Sequence, residues 1–191
     1  MAKVYVFLAN GFEDVEALIP VDVLRRGGVE VVTVSVDNDS QMVESAHGVV
    51  MLADAVIADC DLTDADLLLL PGGMPGASNL FACEELRKAL VYQQEAGKMI
   101  AAICASPAVV LGQMGLLQGL RATCYPGFEQ LLDGAEYTGE LCTVDGLMVT
   151  GEGPAAAFPF AYTLLAMLQD EATAEQVATG MRYIHLMEEA Q

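Results

Sequence analysis

Met99-Ile100-Ala101-Ala102-Ile103-Cys104-Ala105-Ser106-Pro107 is the stretch that decides the fold. Its first five residues form an unbroken apolar run, as a strand buried on both faces of a parallel sheet requires. Pro107 suits the first turn of a helix, where its missing N–H leaves no bond unmade. A cysteine therefore sits at a strand-to-helix junction, the place a nucleophile elbow occupies in α/β hydrolases. There a thiol faces unpaired helix N–H groups and the positive end of the helix dipole. The expectation is a stabilised thiolate with a lowered pKa. A packed core cysteine is the alternative, and the position and its neighbours favour the reactive one.

Outward from this segment, short β-rich runs alternate with helical stretches. Residues 3–9 read as a first strand, with Asn10-Gly11 as its turn, and residues 13–26 as a helix stopped by Gly27-Gly28. Residues 29–36 and 49–53 read as further strands. The run Leu67-Leu68-Leu69-Leu70 is another doubly buried strand and leads into Pro71-Gly72-Gly73. A helix over 80–96 follows, and after the cysteine another helix runs to 114. Residues 122–125 are a short strand candidate. Residues 141–144 and 147–150 read as a hairpin turned at Asp145-Gly146. Helices over 155–168 and 173–188 complete the chain. This order predicts one domain over 1–191, with a mainly parallel sheet and helices on both faces.

Composition narrows the function. Eight basic residues against 27 acidic ones give a formal net charge of −19, which repels nucleic-acid phosphates and anionic membranes. No apolar run approaches the roughly 18 residues of a membrane span. The N-terminus shows no targeting segment, so the expectation is a cytoplasmic protein. The five cysteines (Cys60, Cys83, Cys104, Cys124 and Cys142) are odd in number and lack C-x-x-C spacing. Free thiols follow for a reducing compartment. With His47 and His185 the only histidines, no metal site is expected. Pro71-Gly72-Gly73-Met74-Pro75-Gly76 lacks the phosphate-loop pattern, so a kinase is unsupported.

Open parallel sheets place their sites beyond the carboxyl ends of the strands. Three loops leave such ends: Asn10-Gly11, Pro71-Gly72-Gly73 and Cys104-Ala105-Ser106-Pro107. The Gly73 N–H, with that of Ala105, fits an oxyanion hole beside Cys104. Glu16 lies among Val15, Ala17, Leu18 and Ile19, so it suits either a buried protonated acid or a solvated helix glutamate. Gly72, Asn10, Ser106 and Tyr125 are the expected pocket residues.

Three segments, Val21-Asp22-Val23-Leu24-Arg25-Arg26-Gly27-Gly28, Leu70-Pro71-Gly72-Gly73 and Ala101-Ala102-Ile103-Cys104-Ala105-Ser106-Pro107, resemble the ThiJ/PfpI superfamily. The similar branch is that of the Parkinson-disease protein deglycase and its bacterial relatives, and the likeness extends through Gly151-Glu152-Gly153-Pro154. The resemblance implies a flavodoxin-like three-layer sandwich, a homodimer, Cys104 as oxidisable nucleophile and Glu16 as its buried acid partner. It also implies Gly73 and Ala105 as backbone donors. Three positions depart from the pattern: Tyr125 replaces a common histidine, Ser106 a common glycine, and Glu152 a frequent arginine. Tyrosine is a poor base near neutrality, and neither His47 nor His185 takes the histidine's place, so a Cys-His peptidase ranks last.

The activity implied is a cofactor-free glyoxalase or deglycase chemistry on small α-oxoaldehydes. The alternative is a redox-sensing or chaperone-like stress protein that uses oxidation of Cys104. The partners are then a small aldehyde or oxidant and a second copy of the chain. Surplus apolar positions on helices 13–26 and 155–168 also argue for that dimer.

Overall fold

The computed structural model describes residues 1–189, so the last two residues of the expected domain lie outside the described residues. In chain order the elements are β1 (Lys3–Leu8), α1 (Asp14–Arg26), β2 (Glu30–Ser35), β3 (Met42–Glu44), β4 (Val50–Leu52), β5 (Ala55–Val56) and β6 (Leu67–Leu70). There follow α2 (Gly76–Ala82), α3 (Glu84–Glu95), β7 (Met99–Ile103), β8 (Arg121–Ala122), β9 (Glu136–Tyr137), β10 (Cys142–Asp145) and β11 (Met148–Gly151). Helices α4 (Ala157–Leu168), α5 (Glu171–Gly180) and α6 (Tyr183–Glu189) end the described chain.

A seven-stranded sheet runs in the order β10-β11-β7-β6-β1-β2-β5. Its strands are parallel except β10, which returns antiparallel to β11 as the expected hairpin. The chain proceeds from β1 to β2 on one side and reaches β6 on the other. The switch point, where α/β sheets open a crevice, therefore lies between the ends of β1 and β6.

Alternation along the strands sorts the core into two layers. Val4, Val6, Leu67, Leu69, Ala101 and Ile103 face α1, α4 and α5. Tyr5, Phe7, Leu68, Leu70, Ile100 and Ala102 face α2, α3 and the segment after Cys104. All four leucines of β6 are buried completely, as a strand covered on both faces demands. The result is the flavodoxin-like three-layer sandwich expected from the sequence.

Several elements differ from that expectation. The helix over 80–96 is two helices, broken at Cys83, whose backbone is extended (φ −72°, ψ 111°). Glu84 and Glu85 restart it, as acidic residues in a first turn favour. The helix over 173–188 is likewise two, interrupted around Arg182, which has φ 64°. Asp170 caps α5 by accepting the Thr173 N–H at 2.7 Å, which moves its start upstream. The helix after the cysteine is a π-helical segment, Pro107–Gly112, with bonds such as Gln113 N–H to Ala108 O. Of the candidate strand 122–125 only Ala122 is extended in a sheet, as the second residue of β8. A single 3₁₀ turn, Pro154–Ala156, precedes α4.

Candidate active site

The loops after β1, β6 and β7 meet at the switch point. Cys104 has φ 65°, a left-handed conformation that side chains with a Cβ rarely adopt. Its N–H donates to Gly151 O at 2.9 Å, and its carbonyl accepts from Tyr125 N–H at 2.8 Å. Those two bonds, one to the end of β11 and one to the following loop, hold the strained elbow in place. The N–H groups of Gly73 and Ala105 face the sulfur, which brings the two expected donors to one atom.

Glu16 reaches the same point from α1. Glu13 caps that helix, its side chain accepting the Glu16 N–H at 2.9 Å. One turn in, the Glu16 side chain points under the sheet crevice and is buried completely. Its Oε2 accepts the Gly72 N–H at 2.9 Å. The other oxygen, Oε1, is buried without a partner of good hydrogen-bond geometry, and the carboxyl's side-chain neighbour is the Cys104 thiol.

Burial pushes the Glu16 carboxyl up to about 7, with repulsion from Glu13 adding to it. Burial and then the Glu16 charge push the Cys104 thiol up to about 12, against the pull of the two N–H groups. This corrects the expectation of a lowered thiol pKa. Backbone donors are present, but desolvation and a carboxylate outweigh them. Two negative charges cannot stand side by side here, so above about 7 the pair keeps one proton between sulfur and carboxyl. Thiolate character at Cys104 therefore requires the proton to sit on Glu16, where the carboxyl becomes a donor.

Glycines make the approach possible. A Cβ on Gly72 would lie 2.6 Å from Cys104 Cβ and 2.7 Å from Glu16 Oε2. Gly73 has φ 87°, and a Cβ there would lie 2.5 Å from Glu13 N. Only glycine at both positions lets the β6 loop present its N–H groups to carboxyl and sulfur at once.

The other expected pocket residues take different places. Asn10 is a latch: its Oδ1 accepts the Glu44 N–H at 2.9 Å, and its carbonyl accepts from Asn79 Nδ2 at 2.8 Å. Ser106 is fully buried and donates its hydroxyl to Pro71 O, tying the elbow to the β6 loop. Tyr125 lines a cavity of about 220 Å³ with Pro126, Glu152, Gly153 and Pro154. His47 is exposed on the turn between β3 and β4, where Asp14 Oδ2 lies 2.7 Å from its Nδ1. His185 is on α6, and all five cysteines are free thiols.

Sequence reasoning missed three contributors. Glu13 is the cap that sets the start of α1. Its spacing of three from Glu16 was the signal for that role. Asp14 is mostly buried against the His47 turn. Gly151 O anchors the Cys104 N–H, a backbone role no side chain advertises.

A parallel sheet with a left-handed cysteine at a strand-to-helix elbow, backed by a buried glutamate, defines a flavodoxin-like protein with a cysteine–glutamate pair at its switch point. Residues 2–167 match the DJ-1/PfpI family, and the chain belongs to it. It is 40% identical over 177 residues to protein DJ-1 homolog B of Arabidopsis thaliana, covering 92% of this chain and 40% of that protein. The chain thus spans under half the length of the two Arabidopsis relatives, 40% and 44%. It is 31% identical over 159 residues to the Caenorhabditis elegans glutathione-independent glyoxalase DJR-1.2, covering 82% of this chain and 83% of that protein. The solved structure of oxidized Toxoplasma gondii DJ-1 superimposes with a TM-score of 0.91 at 38% identity, covering 95% of this chain and 98% of that one. No helix among the described residues is long and apolar enough to cross a membrane.

Proposed function

We propose that the protein performs cofactor-free glyoxalase or deglycase-type chemistry on small α-oxoaldehydes, with Cys104 as nucleophile and Glu16 as proton shuttle. The observation that carries this reading is a buried carboxyl set against a buried thiol on a left-handed elbow, with the backbone N–H groups of Gly73 and Ala105 facing the sulfur. With methylglyoxal, the Cys104 thiolate adds to the aldehyde carbon. Glu16 gives its proton to the resulting alkoxide, and the Gly73 N–H stabilises that oxygen as charge develops. The Glu16 carboxylate then takes the hydrogen of the former aldehyde carbon as a proton and returns it to the neighbouring carbon, while the hydroxyl proton of the first carbon passes to the oxygen of the second. That internal redox turns the hemithioacetal into a thioester. Water cleaves the thioester, releasing lactate and restoring the thiol. Its glyoxalase relative in Caenorhabditis elegans supports the reading by similarity.

The test is methylglyoxal consumption by the reduced protein without glutathione, beside Cys104→Ser. Turnover confined to the parent supports the mechanism, and equal turnover in the variant sinks it.

Oxidation of Cys104 is the second reading, favoured by the similarity to an oxidised structure. The thiolate would cleave the peroxide O–O bond to give a sulfenate and water, and a second peroxide would give a sulfinate that a protonated Glu16 can bond. A sulfinate confined to Cys104, with no aldehyde turnover in the reduced protein, would favour it. In either case the protein acts in the cytoplasm as a homodimer. Val15 and Leu18 of α1 and Met42, Val50 and Leu52 of the β3–β4 hairpin are exposed apolar residues suited to that interface. The surplus on α4 is used within one chain, where its Phe160, Leu164 and Leu165 are buried in the core layer shared with α1 and α5.

A further inference from the structure

The cavity of about 220 Å³ beside the elbow has two walls, and both hang from the backbone of Cys104. Tyr125 and Pro126 form one, fixed by the bond from Tyr125 N–H to Cys104 O at 2.8 Å. Glu152, Gly153 and Pro154 form the other, fixed through Gly151 O, which accepts the Cys104 N–H at 2.9 Å. The Tyr125 ring lies against the second wall, for a Cβ on Gly153 would stand 3.1 Å from its Cδ2. Glu152 is the one charged residue of the lining. Arg121, the basic residue nearest in sequence to Tyr125, is paired with Glu140 at 3.1 Å.

We propose that this cavity is the way in to Cys104 and that it selects carbonyl compounds bearing a positive charge over those bearing a carboxylate. An aromatic face and a carboxylate lining one cavity are what an ammonium or guanidinium group binds. A carboxylate-bearing aldehyde meets Glu152 in the lining and Glu16 beside the thiol, in a chain of net charge −19. The substrate class rests on the carbonyl chemistry proposed above, whereas the charge selectivity of access to Cys104 does not.

The reduced full chain is treated with two methanethiosulfonates, one carrying a trimethylammonium group and one a sulfonate. In each, the thiolate attacks the reagent's sulfenyl sulfur, a disulfide forms, and methanesulfinate leaves. Peptide mass spectrometry reads the rate at Cys104, with Cys60 as the remote reference. The expected ratio of cationic to anionic rate at Cys104 exceeds that of a free small thiol by roughly tenfold at low salt. It falls severalfold in Glu152→Gln and further in Glu152→Arg, while the ratio at Cys60 stays put. A ratio at Cys104 that ignores both substitutions, or moves in step with that at Cys60, overturns the inference, because the bulk charge alone then sets access. Methylglyoxal and 4,5-dioxopentanoate, an α-oxoaldehyde that carries a carboxylate, provide the second readout. Turnover whose preference for methylglyoxal is untouched in Glu152→Arg also overturns it, leaving the carbonyl chemistry standing. No turnover of either aldehyde, with a reagent ratio that follows Glu152, removes the carbonyl chemistry and upholds the selective entrance.

Discussion

Glu16→Gln should inactivate the protein and, above neutrality, make it more stable. Burial lifts the Glu16 carboxyl from 4.5 to about 7 in the folded chain, while in the unfolded chain it titrates at its ordinary value. Below that ordinary value the carboxyl is protonated in both states, and its burial carries no charge penalty. As pH rises toward about 7, the unfolded chain releases a proton that the folded chain still holds, so stability falls. Above about 7 both states are ionised, and the full penalty is in place. A shift of that size corresponds to about 3 kcal/mol. Glutamine keeps the shape and an acceptor oxygen for the Gly72 N–H but never ionises. Its amide N–H₂ needs partners in a buried site, which trims the expected gain at about pH 8 to about 1–3 kcal/mol. Urea unfolding of both proteins at intervals from about pH 5 to about pH 8 gives the difference at each pH. Taking differences cancels the self-repulsion of a chain of net charge −19. The gap should open with rising pH through the titration of Glu16. A difference that is flat across this range would refute the buried, elevated carboxyl, and with it the proton-sharing pair.

Two further outcomes follow from the same geometry. Gly72→Ala places a methyl 2.6 Å from Cys104 Cβ and 2.9 Å from Ile103 O, so backbone must move. About 1–3 kcal/mol of stability should be lost with most of the turnover, and an unchanged melting temperature and rate would show slack the packing denies. Alkylation of Cys104 by iodoacetamide, followed by peptide mass, should step up as pH passes about 7, when the pair falls to one proton. Glu16→Gln should abolish that step. The same profile in both proteins would count against coupling.

The fold was legible because its signals are local and redundant. The doubly buried runs at Leu67–Leu70 and Met99–Ile103 each lead into a loop with turn residues, and both became central strands. Helix ends were less legible. Cys83 breaks a continuous helical pattern without glycine or proline, and the clue was the pair Glu84-Glu85, weak in a chain rich in acids. The elbow cysteine and the glycine loop could be read from position along the sheet. The ionisation of Cys104 could not. A helix N-terminus argues for a low thiol pKa, yet burial wins, helped by a glutamate 88 positions away in sequence that only the packing of α1 brings close. Similarly, Asn10 and Ser106 sit at the right loops, but their side chains are spent on Glu44 and Pro71.

What the site has in common is that each part runs against the stability of the fold. Cys104 adopts a left-handed backbone, which costs on the order of 1 kcal/mol or more in a residue with a Cβ. Glu16 places a carboxyl where no water reaches it. Gly72 and Gly73 leave the end of a core strand without side chains to pack. These liabilities cannot be relieved singly, because each supports the next. The elbow angle aims the sulfur at the Gly73 N–H, the bare Gly72 lets the carboxyl approach both, and the carboxyl's elevated pKa keeps a proton available to the sulfur. A sequence selected for stability alone would replace any of the four with a residue that packs better. Their joint presence on one crevice argues for a function that consumes the shared proton, and carbonyl addition at Cys104 is a reaction that does so.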